Sequence, residues 1–88
     1  MYSYELVPDL QKVLNKLFKK DKVMYEQVMK KIEEIIQNPQ HYKPLKYDLA
    51  RERRVHIMKS FVLKFEINEQ KQMITFIFFG HHDEAYKR

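Results

Sequence analysis

Side chains that can transfer protons or carry positive charge are grouped in the second half of the sequence. Arg54 and His56 are two residues apart, and Lys64 lies in the next apolar segment. His82 and Tyr86 follow the last apolar segment. Cleavage by the ribose 2′-hydroxyl requires a base, cations that stabilise the phosphoryl oxygens, and an acid for the leaving 5′-oxygen. Because these residue types can fill all three roles, we predict that they form a catalytic site.

Each of these residues also has a plain structural interpretation. Arg54 and Lys64 could be ordinary surface charges, and Tyr86 could simply anchor the end of the chain. A single histidine is more often structural than catalytic. The predicted position of these residues on one face of a sheet favours the catalytic interpretation.

The positive charge of the chain is concentrated in one segment. The sequence has 17 lysine and arginine residues against 12 aspartate and glutamate residues, a formal net charge of +5. Residues 43–64 contain seven basic and two acidic residues, which accounts for the whole surplus. A concentrated positive field attracts phosphate polymers or an acidic protein, whereas a dispersed one mainly aids solubility. We therefore predict that Lys46, Arg51 and Arg53 bind RNA beside the candidate catalytic residues.

The composition argues against several classes of site. A single glycine cannot form a phosphate-cradling loop, so we expect no cofactor. Neither Ser3 nor Ser60 lies in a nucleophile elbow, which argues against a serine-centred catalytic triad. The absence of cysteine excludes disulfides and is typical of a reducing cytoplasm. No apolar run approaches the length of a membrane span, about 18 residues, and no leader opens the chain. We expect a cytoplasmic protein without a membrane segment.

Histidines and carboxylates near the end of the chain raise the possibility of a metal site. His81 and His82 directly precede Asp83 and Glu84. Adjacent residues on a strand point to opposite faces and make a poor chelate. We therefore expect no metal.

The first half of the chain has the pattern of a strand followed by two helices. Residues 2–6 alternate large and polar side chains, as a strand does, and Pro8 ends the segment. From Asp9 apolar residues recur at the helical period, which predicts a helix with one buried side. Asp21 is placed as the N-cap of a second helix, which Asn38-Pro39 ends.

The second half predicts three strands, at residues 53–58, 60–67 and 72–79. Alternation places the apolar residues of the middle strand on one side and Lys64 on the other, with Arg54 and His56 on the side of Lys64. The last strand is nearly all apolar, so it should be central and covered on both faces. We predict a single α+β domain spanning residues 1–88. Its N-terminal strand and two-helix hairpin pack on one face of a small antiparallel sheet, and the opposite face is free.

Several strings resemble one known family over essentially the whole chain. Residues 79–86 read Phe-Gly-His-His-Asp-Glu-Ala-Tyr, which is similar to a closing signature of glycine, basic residues and tyrosine. Together with residues 44–49, 53–57 and 61–67, they resemble the RelE/ParE superfamily of bacterial and archaeal toxins. The resemblance implies a RelE-like fold and a metal-free, ribosome-dependent endonuclease acting on mRNA. It also implies a cognate RelB-like antitoxin that wraps the toxin.

The resemblance suggests roles for individual residues. Lys46 and Arg54 fall where the family keeps basic residues along the RNA path, and His56 falls where RelE has a second lysine. His82 occupies the basic position after the glycine. Tyr86 matches the closing tyrosine, which contacts the substrate in RelE.

One departure from the family pattern keeps other functions open. Where many members have an arginine for the scissile phosphate, this chain has Val62, and Lys64 on the same face could supply a point charge instead. One alternative is a ParE-like toxin that poisons DNA gyrase without catalysis. Another is a non-catalytic RNA-binding module, which the missing arginine favours. The grouped cations and histidines favour the nuclease, because gyrase poisoning does not require them.

Overall fold

The computed structural model describes residues 2–42 and 52–85. Their elements are, in chain order, β1 Ser3–Leu6, α1 Pro8–Lys20, α2 Lys22–Gln37, a 3-10 helix Pro39–His41, β2 Glu52–Ile57, β3 Phe61–Asn68, β4 Met73–His81 and α3 His82–Ala85. This is the predicted order, with two short elements added, the 3-10 helix after α2 and α3 after the last strand. Within the described ranges, no helix is both long and apolar enough to cross a membrane.

Helices α1 and α2 pack against each other on either side of Asp21. Pro8 begins α1 as well as ending β1, because a proline in the first turn of a helix loses no helical hydrogen bond. The Asp21 carboxylate accepts a hydrogen bond of 3.1 Å from the backbone N–H of Met24, so the predicted N-cap is confirmed. Leu10 and Leu14 carry the buried side of α1.

The strands form one four-stranded sheet in the order β1-β4-β3-β2. Strand β3 pairs antiparallel with β2 and β4, as predicted. Strand β1 pairs parallel with β4, from Ser3 opposite Met73 to Leu6 opposite Phe76, so the sheet is mixed and not wholly antiparallel. The predicted meander leaves one edge of β4 without backbone partners, and β1 supplies them. This makes β4 an interior strand, as its apolar sequence predicts.

The helical hairpin covers one face of the sheet, which confirms the predicted layers. All four apolar residues that alternate along β3, from Phe61 to Ile67, join the helices in one hydrophobic core. At its centre Phe65 and Phe76 are fully buried, with ring centroids 5.7 Å apart. Burial of each such side chain stabilises the fold by about 1.5–3 kcal/mol.

The opposite face, called the open face below, is formed by the alternate residues that point away from the core. They include Glu5, Glu52, Arg54, His56, Val62, Lys64, Glu66, Thr75, Phe78 and Gly80. Lys64 pairs with Phe78 but Phe65 pairs with Phe76, so Ile77 is an extra residue that shifts the alternation of β4. Phe78 is therefore turned to the open face and is partly exposed. No residue of β4 is fully exposed, so the predicted covering of both its faces is found in part.

Candidate active site

Strand pairing aligns the open face into three rows that cross the sheet. Residues directly opposite on neighbouring strands point to the same side, with Cβ atoms about 4.5–5.5 Å apart. The central row contains Arg54, Lys64 and Phe78, the histidine row contains His56, Val62 and Gly80, and the acidic row contains Glu52, Glu66, Thr75 and Glu5. The sheet thus places two cations between histidine on one side and carboxylates on the other.

The cations of the central row are held next to a carboxylate of the acidic row. The Lys64 Nζ lies 3.3 Å from a carboxylate oxygen of Glu52, and the exposed fractions of the two side chains are 11% and 21%. Arg54 lies directly across the strand pair from Lys64. Two cations so close together repel, and the Glu52 carboxylate offsets that repulsion. An anion bound at this row must therefore compete with Glu52 for the ammonium group of Lys64.

An aromatic ring completes the central row. The Phe78 ring centroid lies 5.9 Å from the Lys64 Nζ. The ring lies over Gly80, where an added Cβ would stand 2.8 Å from the far end of the ring, so glycine leaves the room that Phe78 occupies. A partly exposed aromatic ring beside two cations can stack on a base while the cations contact its phosphate. The sequence hides Phe78 inside an apolar run, and only the bulge at Ile77 turns it outward.

His82 is fixed beside the end of the histidine row by the turn between β2 and β3. Met58 and Lys59 in that turn have φ of 50° and 68°, a conformation that non-glycine residues seldom adopt. The carbonyl of Ser60 accepts a hydrogen bond of 2.8 Å from the backbone N–H of His82. His56 and His82 are both exposed. His56 lies in the histidine row, and His82 begins α3 two residues after Gly80, the β4 member of that row.

Three of the predicted site residues share the open face, namely Arg54, His56 and Lys64. His82 follows β4 just beyond that face, with its backbone held by Ser60. Arg53 is turned to the other face of β2, opposite Phe65, and does not join them. Three further predicted residues, Lys46, Arg51 and Tyr86, lie outside the described residues.

The positive charge expected on this face is partly compensated. Of the described basic residues between positions 52 and 64, Arg54 and Lys64 are on the open face, whereas Lys59 is in the β2–β3 turn. The three carboxylates of the acidic row lie on the same face. The described open face is therefore a cationic row bordered by an acidic one, and an RNA backbone fits the central row better than the face as a whole.

The residues after β4 are closer together than strand geometry predicts. The ligand atoms of His81, His82 and Asp83 all lie within 4.8 Å of one another. The reason is that His81 is the last residue of β4, whereas His82 begins α3, so the two imidazoles do not alternate as on a strand. The argument from opposite faces is therefore wrong for these residues.

Two helices packed on a mixed four-stranded sheet define the α+β fold of the chain, and solved structures share this fold. The YoeB/ParE toxin from Agrobacterium tumefaciens superposes with a TM-score of 0.80 at 17% identity, covering 91% of this chain and 98% of that one. The toxin–antitoxin complex RelBE from Escherichia coli gives a TM-score of 0.74 at 20% identity, covering 92% and 96%. The fold is that of the RelE/ParE toxins, which confirms the resemblance found in the sequence.

The family follows from sequence comparison. The model of the ParE toxin family of type II toxin–antitoxin systems, parDE, matches residues 4–86. A relative from Methanocaldococcus jannaschii that is named as a toxin, RelE4, is 49% identical over 88 residues, which is 100% of this chain and 94% of the relative. The chain belongs to the ParE toxin family of type II toxin–antitoxin systems.

Proposed function

We propose that the chain is a toxin that cleaves mRNA on the ribosome without a metal ion. The observation that carries the proposal is the central row, in which two cations and an aromatic ring stand next to the exposed His56. The exposed His82 follows directly after β4. A gyrase poison needs no such combination of phosphate-binding, base-stacking and proton-transferring groups. The toxin would act in the cytoplasm, where ribosomes and mRNA are available.

The chemistry assigns one role to each group. His56 is the candidate base that takes the proton of the 2′-hydroxyl, whose oxygen forms a bond to the neighbouring phosphorus. Arg54 and Lys64 stabilise the extra charge on the phosphoryl oxygens. The bond from phosphorus to the 5′-oxygen breaks, and His82 gives a proton to that oxygen. The products are a 2′,3′-cyclic phosphate upstream and a 5′-hydroxyl downstream.

The position of the missing family arginine supports the role of Lys64. Val62 stands there, and it is fully buried within the histidine row. A valine cannot contact the substrate from that position. The cation for the scissile phosphate must then come from the central row, where Lys64 is the nearest residue of β3 on the same face.

The proposed reaction is tested on translating ribosomes with a chelator that removes transition-metal ions and leaves the Mg²⁺ that ribosomes need. We expect cleavage of the mRNA to continue, because the roles above are filled by side chains alone. The fragments should carry a 2′,3′-cyclic or 3′-phosphate upstream and a 5′-hydroxyl downstream, detected by end-labelling and phosphatase sensitivity. Cleavage that stops with chelator, or fragments with a 5′-phosphate, would rule out this mechanism.

We also propose a RelB-like antitoxin as the partner of this chain. Support comes from family membership and from the E. coli relative, whose structure is a complex with its antitoxin. A partly disordered, acidic partner that folds on binding could cover the central row and the exposed apolar side chains of the helices, such as Phe18. The product of the neighbouring gene should co-purify with the chain at both low and high salt. Failure to co-purify at both low and high salt would count against this partner.

A ParE-like poison of DNA gyrase is the second candidate. Two observations favour it: the matching family model is that of ParE toxins, and Glu52 neutralises the Lys64 charge that RNA cleavage would use. The candidates separate in one comparison. A chain that arrests growth and inhibits gyrase supercoiling but cuts no ribosome-bound mRNA would be a gyrase poison.

A further inference from the structure

We infer that His81, His82 and Asp83 form a binding site for a divalent transition metal ion of the zinc type. An ion bound there would occupy the imidazole of His82 and so inhibit RNA cleavage. The inhibitory part of this inference rests on the proposed function, whereas the binding site itself does not. Zinc here is an inhibitor and not a cofactor, which is compatible with metal-free cleavage.

Two distances within this group are close to those of a metal site, and all of its ligand atoms lie within 4.8 Å of one another. The His81 Nδ1 lies 3.5 Å from one carboxylate oxygen of Asp83, and the His82 Nδ1 lies 3.4 Å from the other. Ligands bound tetrahedrally at the usual zinc distances stand about 3.3 Å apart. Small rotations of exposed side chains are therefore enough to direct both imidazoles and the carboxylate to one ion.

The local backbone uses one ring nitrogen of His81 as a hydrogen-bond acceptor. The N–H of Asp83 donates to the His81 Nδ1 at 3.3 Å, and the lone pair that accepts this bond is the one that a metal ion would use. The hydrogen bond is long, and a metal ion can replace it at little cost. The backbone of His82 is held by Ser60, which fixes the start of α3 and keeps its imidazole next to Asp83.

The kind of ligand selects the kind of ion. Two imidazoles and one carboxylate suit zinc and neighbouring transition metals, whereas magnesium and calcium prefer oxygen ligands. The exposed fractions of the side chains of His81, His82 and Asp83 are 43%, 49% and 74%, so an ion reaches the site from solvent. Three protein ligands leave a fourth position for water, as in open zinc sites.

Binding is measured with Zn²⁺ alone on the full chain without an affinity tag. We expect one equivalent to bind in calorimetry and to shift the imidazole NMR signals of His81 and His82. Loss of outer-shell partners costs about 10–100-fold in affinity, so His81→Gln and Asp83→Asn, which remove direct ligands, should each cost at least about tenfold. His41→Gln is the matched control, because His41 is also exposed but lies in the 3-10 helix away from this group. No stoichiometric binding, or an equal loss in the control, would overturn the site.

The inhibitory part has its own readout. Zn²⁺ should slow cleavage by the wild-type chain and chelator should restore it, whereas His81→Gln should cleave at nearly the same rate with and without Zn²⁺. His81 has no role in the proposed cleavage, so this variant separates metal binding from catalysis. Cleavage that is unaffected by bound Zn²⁺ would overturn the inhibitory part of the inference, whereas the metal-binding site itself would stand. If the chain cleaves no RNA under any condition, the proposed function fails, inhibition falls with it, and binding alone decides the site.

Discussion

His82→Ala should lower single-turnover cleavage of ribosome-bound mRNA by at least about 100-fold, the usual cost of removing a general acid. The His82 imidazole is exposed, and its position depends on the backbone hydrogen bond from its N–H to the Ser60 carbonyl, which alanine retains. The fold should therefore be unchanged, as judged by circular dichroism and the melting temperature. Binding to ribosomes should change little, because the loss concerns a proton transferred only in the transition state.

His41→Ala is the matched control for this experiment. His41 is also an exposed histidine, but it lies outside the open face, so its removal should leave the cleavage rate unchanged. Full activity in His82→Ala would reject His82 as the acid. An equal loss of ribosome binding and of cleavage would instead indicate that His82 contributes affinity alone.

The elements and the two faces of the sheet could be predicted from sequence because they depend on local patterns. Period-two alternation in β3 placed Phe61 and Phe65 in the core and Lys64 on the opposite face, as found. In the same way, apolar residues at the helical period predicted the buried side of α1, and the cap at Asp21 predicted the start of α2. These features depend on residues a few positions apart, and their physical causes can be read directly from the chain.

The rest of the site depends on register, which joins residues far apart in the chain. Strand β1 pairs with β4 along the edge of β4 that β3 does not occupy. No local pattern in the sequence indicates this pairing. Phe78 was missed because a bulge at Ile77 reverses the alternation within an apolar run. Glu52 was missed as a partner of Lys64 because the two residues lie on different strands. Only the register between β2 and β3 brings them together. His81 and His82 were misjudged because β4 ends between them.

Lys64→Met should lower single-turnover cleavage by about 100-fold, the cost of losing one group that stabilises charge on the reacting oxygens. Methionine keeps the length of the buried stem and removes only the ammonium group. The variant also leaves the Glu52 carboxylate without its ion pair in a largely buried place. It should therefore lose stability, though less than the about 3–5 kcal/mol seen when a fully buried pair is broken. A loss of activity alone would not distinguish catalysis from folding.

The pair Lys64 and Glu52 allows that distinction, because each partner can be removed separately. Adding Glu52→Gln to Lys64→Met removes the stranded carboxylate, so stability should recover while cleavage stays about 100-fold low. Glu52→Gln alone should retain cleavage and bind RNA more tightly, since the Lys64 ammonium no longer has to leave a carboxylate to reach a phosphate. Urea melts give stability, and single-turnover rates with titrated ribosomes give the two functional quantities. If the double variant regains cleavage together with stability, Lys64 serves the fold and the cation for the scissile phosphate must be Arg54, its neighbour in the central row.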